Sequence, residues 1–193
     1  MNQSTHVLSA QEAAPLLETC FTKILHENMQ GINILNHELD VEAVEFQEWN
    51  GRVMGMMITP WFVSLIILPK AGENWEGGRL GEKENMSFPS RNCEIMLNEI
   101  EGFGFCKTHS IYSPCTDLPN QESARIAAAM FLRNLLDETK RVDPTYSEEQ
   151  IARYLEKEDM VHQEELKKQF SDPIELKKEV NRRDLIRGKV RKS

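Results

Sequence analysis

The side chains with the greatest potential for catalysis or metal binding lie close together in the sequence, at Cys106, His109, Cys115 and Asp117. Thiolates and imidazoles are common ligands of zinc and iron. A strand is predicted across Cys106 and His109, and side chains three residues apart on a strand point to opposite faces. We therefore interpret Cys106 as a core cysteine, His109 as a surface histidine and Asp117 as a helix cap. A small metal- or redox-delivery protein that uses Cys106, His109 and Cys115 is the alternative.

The sequence lacks the common catalytic, phosphate-binding and metal-binding motifs. It contains no glycine-rich phosphate loop, no Gly-x-Ser-x-Gly and no His-Glu-x-x-His. None of the four cysteines forms a Cys-x-x-Cys pair, so a zinc finger or rubredoxin-type site is not supported. The N-terminus lacks the basic segment and apolar core of a signal peptide, which predicts reduced thiols in the cytoplasm. We predict no catalytic residue, no cofactor and no metal.

An apolar stretch over residues 53–68 is the strongest feature of the chain, and it contains the bend Thr59-Pro60-Trp61. It is too short for a membrane span, which needs roughly 20 apolar residues. Two buried strands broken at Pro60 are the ordinary interpretation, because proline cannot donate to a sheet ladder. The functional interpretation is that the bend presents Trp61, together with Trp75 in the following loop, at a binding surface.

Hydrophobic periodicity predicts the elements around this stretch. A helix is expected from about Ala13 to Gly31, because Pro15 is unfavourable in a helix that starts at Ser9. Asn50-Gly51 indicates a tight hairpin. A second helix is expected over 121–136, capped by Asp117 or Asn120. We predict an α+β domain: an antiparallel sheet of about five strands, flanked by an N-terminal and a C-terminal helix, with a long loop over residues 69–90.

Charge divides the chain into an acidic body and a basic end. Residues 1–140 carry 10 Lys+Arg against 19 Asp+Glu, whereas residues 175–193 carry 8 against 3. An acidic body repels nucleic acid and anionic lipid, so neither is predicted as a partner. We predict an α+β domain over 1–142 and a charged helical extension over 143–193. The extension ends in the basic segment Asn181-Arg-Arg-Asp-Leu-Ile-Arg187.

The block Ile58-Thr-Pro-Trp-Phe-Val-Ser-Leu-Ile-Ile-Leu-Pro69 closely resembles the Thr-Pro-Trp block of the HybE/HupJ family, assembly chaperones of [NiFe]-hydrogenases. The terminal segment with Arg182, Arg183 and Arg187 resembles the end of the same family. The resemblance implies a cytoplasmic, non-enzymatic chaperone that binds the hydrogenase small-subunit precursor, with its twin-arginine signal peptide, and contacts the large subunit. The resemblance implies these candidate partner-binding residues: Thr59, Pro60, Trp61, Pro69, Trp75, Arg182, Arg183 and Arg187. Some relatives carry a rubredoxin module, whose Cys-x-x-Cys this chain lacks.

Three hypotheses about function remain open from the sequence. The leading one is the assembly chaperone, and we expect Trp61→Ala to lower partner binding without unfolding the protein. The second is the metal- or redox-delivery protein, and the third is a structural subunit of a membrane-associated redox complex. A further hypothesis concerns Arg182 and Arg183, which resemble a twin-arginine motif: this segment occupies the chaperone's own groove until a signal peptide displaces it. The ordinary interpretation is a basic tail that holds an acidic patch on the body or on a partner.

Overall fold

The computed structural model describes residues 8–141. Helices, strands and one short 3₁₀ turn follow one another in this order: α1 (Ala10–Asn28), β1 (Glu42–Trp49), β2 (Arg52–Thr59), β3 (Phe62–Ile67), β4 (Lys83–Ser87), β5 (Asn92–Ile100), β6 (Gly104–Tyr112), α2 (Gln121–Leu136) and the 3₁₀ turn Glu138–Lys140. The predicted α+β class, with one helix at each end of the sheet-forming segment, is confirmed. The predicted extension over 143–193 lies outside the described residues. No helix within 8–141 is long and apolar enough to cross a membrane.

The strands form one antiparallel sheet in the order β1-β2-β3-β6-β5-β4. The sheet has one strand more than predicted, because β4 lies inside the segment expected to be a loop. Its sequence, Lys-Glu-Asn-Met-Ser, contains one apolar residue, and four of its five residues are exposed. An edge strand that is mostly exposed lacks the alternation by which strands are recognised.

The central strands β2 and β3 are buried on both faces, as the apolar stretch predicts. One face packs against α1 and the other against α2, so the two helices lie on opposite sides of the sheet. We call these two apolar clusters the α1 core and the α2 core. Odd-numbered β2 residues such as Met57 enter the α1 core and even-numbered ones such as Met56 enter the α2 core. Each such side chain contributes about 1.5–3 kcal/mol through burial.

The sheet is strongly curled toward α2. Trp49 ends β1 at one edge, and Phe88 directly follows β4 at the other edge. Their rings nevertheless stack, with centroids 5.0 Å apart and planes inclined by 21°. Ser90 Oγ in the next turn donates to the carbonyl of Leu135 at 3.0 Å, which ties the same corner to the end of α2. The α2 core is therefore enclosed by the sheet.

Local sequence signals fix the ends of these elements. Asn50 and Gly51 have φ of 50° and 73°, which confirms the predicted hairpin turn. The predicted start of α1 near Ala13 is wrong, because Ser9 and Glu12 form a complete capping box that starts the helix at Ala10 in spite of Pro15. At α2, Asn120 is the cap, and its Oδ1 accepts from Ser123 N at 2.9 Å.

Candidate functional site

The turn between β2 and β3 is built around the hydroxyl of Thr59. This oxygen accepts hydrogen bonds from the backbone N–H groups of Trp61 (3.3 Å) and Phe62 (3.0 Å), and it donates to the carbonyl of Phe62 (3.0 Å). Pro60 has no N–H to place in such a buried turn. The hydroxyl therefore satisfies the turn's donors where water cannot reach them.

Trp61 is fully buried in the α1 core, with a relative exposure of 0%. Its ring contacts Phe21 of α1 at a centroid distance of 6.4 Å and Phe62 at 5.6 Å. Thr59 and Pro60 are buried as well. The prediction that the bend presents Trp61 at a surface is therefore wrong: the turn folds the indole back under α1, where it adds apolar area to the core.

The turn also holds two other segments in place. The Pro60 carbonyl accepts from Asn36 N at 2.7 Å, and the Thr59 carbonyl accepts from Cys115 Sγ at 3.4 Å. The side-chain amide of Asn36 then donates to the carbonyls of Cys115 (3.0 Å) and Leu118 (2.6 Å). Asn36 thus connects the segment before β1 to the segment before α2. Sequence reasoning missed this residue, because its partners lie 79 and 82 positions away.

An acidic surface lies on the two segments that Asn36 joins. Asp40 N donates to Gln121 Oε1 at 2.9 Å, and Gln121 donates to Glu42, so the two segments are in contact. Arg125 pairs with Glu42 at 2.8 Å and with Glu122 at 3.3 Å. We define the acidic end as these five carboxylates: Glu38, Asp40, Glu42, Asp117 and Glu122. Four of them are exposed and Glu42 is half-buried, so the acidic end is open to solvent.

Pro69 and Trp75 lie away from the Thr59-Pro60-Trp61 turn. Pro69 is half-buried just beyond the far end of β3, and a six-residue strand spans roughly 20 Å. Trp75 is half-buried in the following loop, where Lys107 Nζ lies 4.5 Å from its ring centroid. The structure therefore does not bring the two predicted tryptophans together. The other predicted binding residues, Arg182, Arg183 and Arg187, lie outside the described residues.

The residues of the metal-delivery alternative are also separated. Cys106 is fully buried in the α1 core, whereas His109 stacks on Phe131 of α2 at a centroid distance of 5.7 Å. His109 Nδ1 lies 2.8 Å from the carbonyl oxygen of Glu94. Burial raises the pKa of Cys106, and it raises the pKa of Cys115 in the α2 core to about 12. Among residues 8–141, no three His, Cys, Asp or Glu side chains are grouped to hold a metal ion.

The fold defines the structural class of this protein: a six-stranded antiparallel sheet with one helix on each face. The solution structure of HybE from Escherichia coli has a similar fold, with a TM-score of 0.54 and 19% identity, over 76% of this chain and 93% of that one. The family follows from the sequence. The model of the family described as "[NiFe]-hydrogenase assembly, chaperone, HybE" matches residues 12–188, and this chain belongs to that family.

Curated relatives agree with the family. The chain is 29% identical over 138 residues to a hydrogenase expression/formation protein HupJ of Bradyrhizobium diazoefficiens, covering 72% of this chain and 76% of that protein. It is 39% identical over 104 residues, 54% of its length, to a probable rubredoxin HupJ of Rhodobacter capsulatus, but the match spans only 37% of that relative. The resemblance seen in the Thr-Pro-Trp block is confirmed, and membership supports a role in hydrogenase maturation.

Proposed function

We propose that this protein acts in the cytoplasm as a non-enzymatic chaperone that binds the hydrogenase small-subunit precursor before export, through its twin-arginine signal peptide. We extend the proposal to contact with the large subunit. The observation that carries it is the family match over residues 12–188. The fold adds a physical reason, because the acidic end offers five carboxylates, of which Glu42 and Glu122 pair with Arg125.

The chemistry of a signal peptide complements this surface. Such a peptide begins with a basic segment and continues with an apolar one. Exposed carboxylates at the acidic end attract the basic segment, and they act mainly on the association rate and on specificity. The Thr59-Pro60-Trp61 turn contributes indirectly in this proposal, because it holds the segments that carry Glu38, Asp40 and Asp117.

The test is a binding titration of the full chain with small-subunit precursor, with and without the signal peptide. We expect binding that depends on the signal peptide and weakens with added salt. The double variant Glu38→Lys/Asp40→Lys should bind about tenfold more weakly, which corresponds to about 1.4 kcal/mol. The matched control is Glu99→Lys/Glu101→Lys, at exposed positions near the β5–β6 turn. Equal affinity for precursor with and without the signal peptide would contradict the proposal.

Metal analysis of the purified protein separates this proposal from metal or redox delivery. Stoichiometric iron, nickel or zinc would favour delivery, although Cys106 and His109 lie on opposite faces of the sheet. Permanent co-purification with the mature enzyme would instead favour a structural subunit. A chaperone is expected to hold the precursor and to release the mature subunit.

A further inference from the structure

The two edge strands of the sheet, β1 and β4, differ in how well they are protected from pairing with another strand. At the β1 edge, Glu18 of α1 reaches over and its Oε1 accepts from Ala43 N at 2.8 Å. The register shifts between Val44 and Gln47, where Glu45 has a φ of 50°. A bulge and an occupied backbone donor are the means by which proteins prevent another strand from pairing with an edge. The β1 edge is therefore closed.

The hydrogen bonds that flank β4 show which of its backbone groups face outward. Leu97 N donates to the carbonyl of Glu82 (2.9 Å), and Phe88 N donates to the carbonyl of Arg91 (2.9 Å). Antiparallel pairs alternate between hydrogen-bonded and non-hydrogen-bonded residues. In the observed register, Glu84 and Met86 therefore bond to β5. The N–H and C=O groups of the remaining three residues point away from the sheet: Lys83, Asn85 and Ser87.

The outward row of β4 is open within the part of the chain that the structure describes. Residues 8–141 contribute no hydrogen bond to the outward N–H groups of Lys83, Asn85 or Ser87, and these three residues are exposed. The two charged side chains of β4, Lys83 and Glu84, form ion pairs. Lys83 pairs with Glu94 of the neighbouring strand β5 at 2.6 Å, and Glu84 pairs with Lys107 of β6, the next strand along, so each charged group lies over a face of the sheet. The edge itself is left accessible.

We propose that an extended segment of the hydrogenase precursor adds to the β4 edge as a seventh strand, through backbone hydrogen bonds to Lys83, Asn85 and Ser87. This inference rests on the proposed function for the identity of the partner. Strand addition at a free edge takes its affinity from the backbone and its selectivity from alternate side chains. It therefore suits a chaperone that recognises the charge and hydrophobicity of a segment more than its exact sequence.

The side chains of β4 define the chemistry of the added segment. Met86 is half-buried against the α2 core, so it favours an apolar residue opposite. Glu84 lies two positions earlier on the same face. Its carboxylate pairs with Lys107, but its side chain is 51% exposed, so a basic residue opposite can share the carboxylate. The segment thus carries a basic residue two positions from an apolar one. In a signal peptide the basic residue comes first, so the added strand runs parallel to β4.

The test uses proline at an outward position. Asn85→Pro removes an N–H that takes no part in the β4–β5 ladder, so the fold should be retained. Binding of the precursor should weaken about tenfold or more. Asn85→Thr keeps the N–H and is the matched control, which should bind like the unmodified chain. Ser87→Pro is a second variant with the same logic, in case Asn85→Pro lowers the stability.

Hydrogen exchange of the unmodified full chain provides a readout without substitution. Addition of precursor should slow the exchange of the amides of Lys83, Asn85 and Ser87, and leave the amide of Ala43 at the closed edge unchanged. Precursor binding with unaltered exchange at these three amides, or undiminished binding of a folded Asn85→Pro, overturns the β4 inference alone. Absence of any precursor binding by the unmodified chain overturns the proposed function as well.

Discussion

At the scale of single residues, Trp61 belongs to the core and not to the surface. It is fully buried against Phe21 and Phe62, whereas Trp75 is half-exposed over Lys107. A sequence shows that a tryptophan lies in a bend, but it does not show to which side the ring turns. That direction is set by tertiary packing against α1, which is why the expectation of a surface Trp61 was wrong.

We expect Trp61→Ala to lower the free energy of unfolding by about 3–5 kcal/mol, because it opens a large cavity in the α1 core. Chemical denaturation followed by circular dichroism measures this loss. Trp75→Ala is the matched control and should lose about 1 kcal/mol. A stable, fully folded Trp61→Ala protein with reduced precursor binding would restore the interpretation of Trp61 as a contact residue.

Replacement of Thr59 by valine tests the turn itself. Thr59→Val keeps the shape of the side chain but leaves the N–H groups of Trp61 and Phe62 without their acceptor. We expect a loss of about 1–3 kcal/mol in unfolding free energy, the cost of unsatisfied buried donors. Thr59→Ser keeps the hydroxyl and should be the milder change. If the two variants are equally stable, the hydroxyl is not what closes the turn.

The buried thiols give the protein a predictable response to alkaline pH. Burial raises the pKa of Cys115 from 9.0 to about 12, and the nearby Asp117 adds to this rise, while a hydrogen bond opposes it. The folded state therefore holds this proton more tightly than the unfolded state, and its stabilising effect is complete below pH 9. Stability should fall progressively between pH 9 and 12, as measured by thermal unfolding at stepped pH. A stability that is constant across that range would contradict this account.

At the scale of elements, the apolar pattern was sufficient to predict the buried strands and helices and insufficient to predict the exposed ones. The hairpin at Asn50-Gly51, the buried strands β2 and β3, and the second helix over 121–136 were all predictable from turn residues and from the spacing of apolar residues. Strand β4 was missed, because an edge strand with four exposed residues is under no such constraint. The start of α1 was misplaced because the unfavourable Pro15 was weighted above the capping box at Ser9.

Asn36 determines how the elements near the acidic end stay together. We expect Asn36→Ala to lower the free energy of unfolding by about 1–3 kcal/mol. The carbonyl of Leu118 loses its side-chain donor, and the carbonyl of Cys115 keeps only the bond from Leu118 N. Its neighbour His37 is exposed, so His37→Ala is a control that should be within about 0.5 kcal/mol of the unmodified protein. Hydrogen exchange in the segments on either side of Asn36 should accelerate. Unchanged exchange in both segments would contradict the role of Asn36 as a connection.

At the scale of the whole molecule, the sequence predicted that the candidate site is acidic but not where it lies on the fold. Composition predicted an acidic body, and five of its carboxylates lie on the two connected segments of the acidic end. The sequence could not show this arrangement, because the segments that carry Glu38 and Asp117 are joined by tertiary contacts through Asn36 and the turn at Pro60. The β4 edge was equally invisible, since its openness is a property of the sheet order and not of the five residues alone.

The stack of Trp49 on Phe88 gives this protein an optical reporter. Phe88 directly follows β4, and Trp49 belongs to the opposite edge strand, so their contact measures how far the sheet is curled. The other two tryptophans lie elsewhere, one in the α1 core and one beside Lys107. We expect the fluorescence of Trp49 to follow the geometry at the end of β4, so that a strand that docks there changes its emission. Trp75 contributes to the same change, because Lys107 beside its ring pairs with Glu84 of β4.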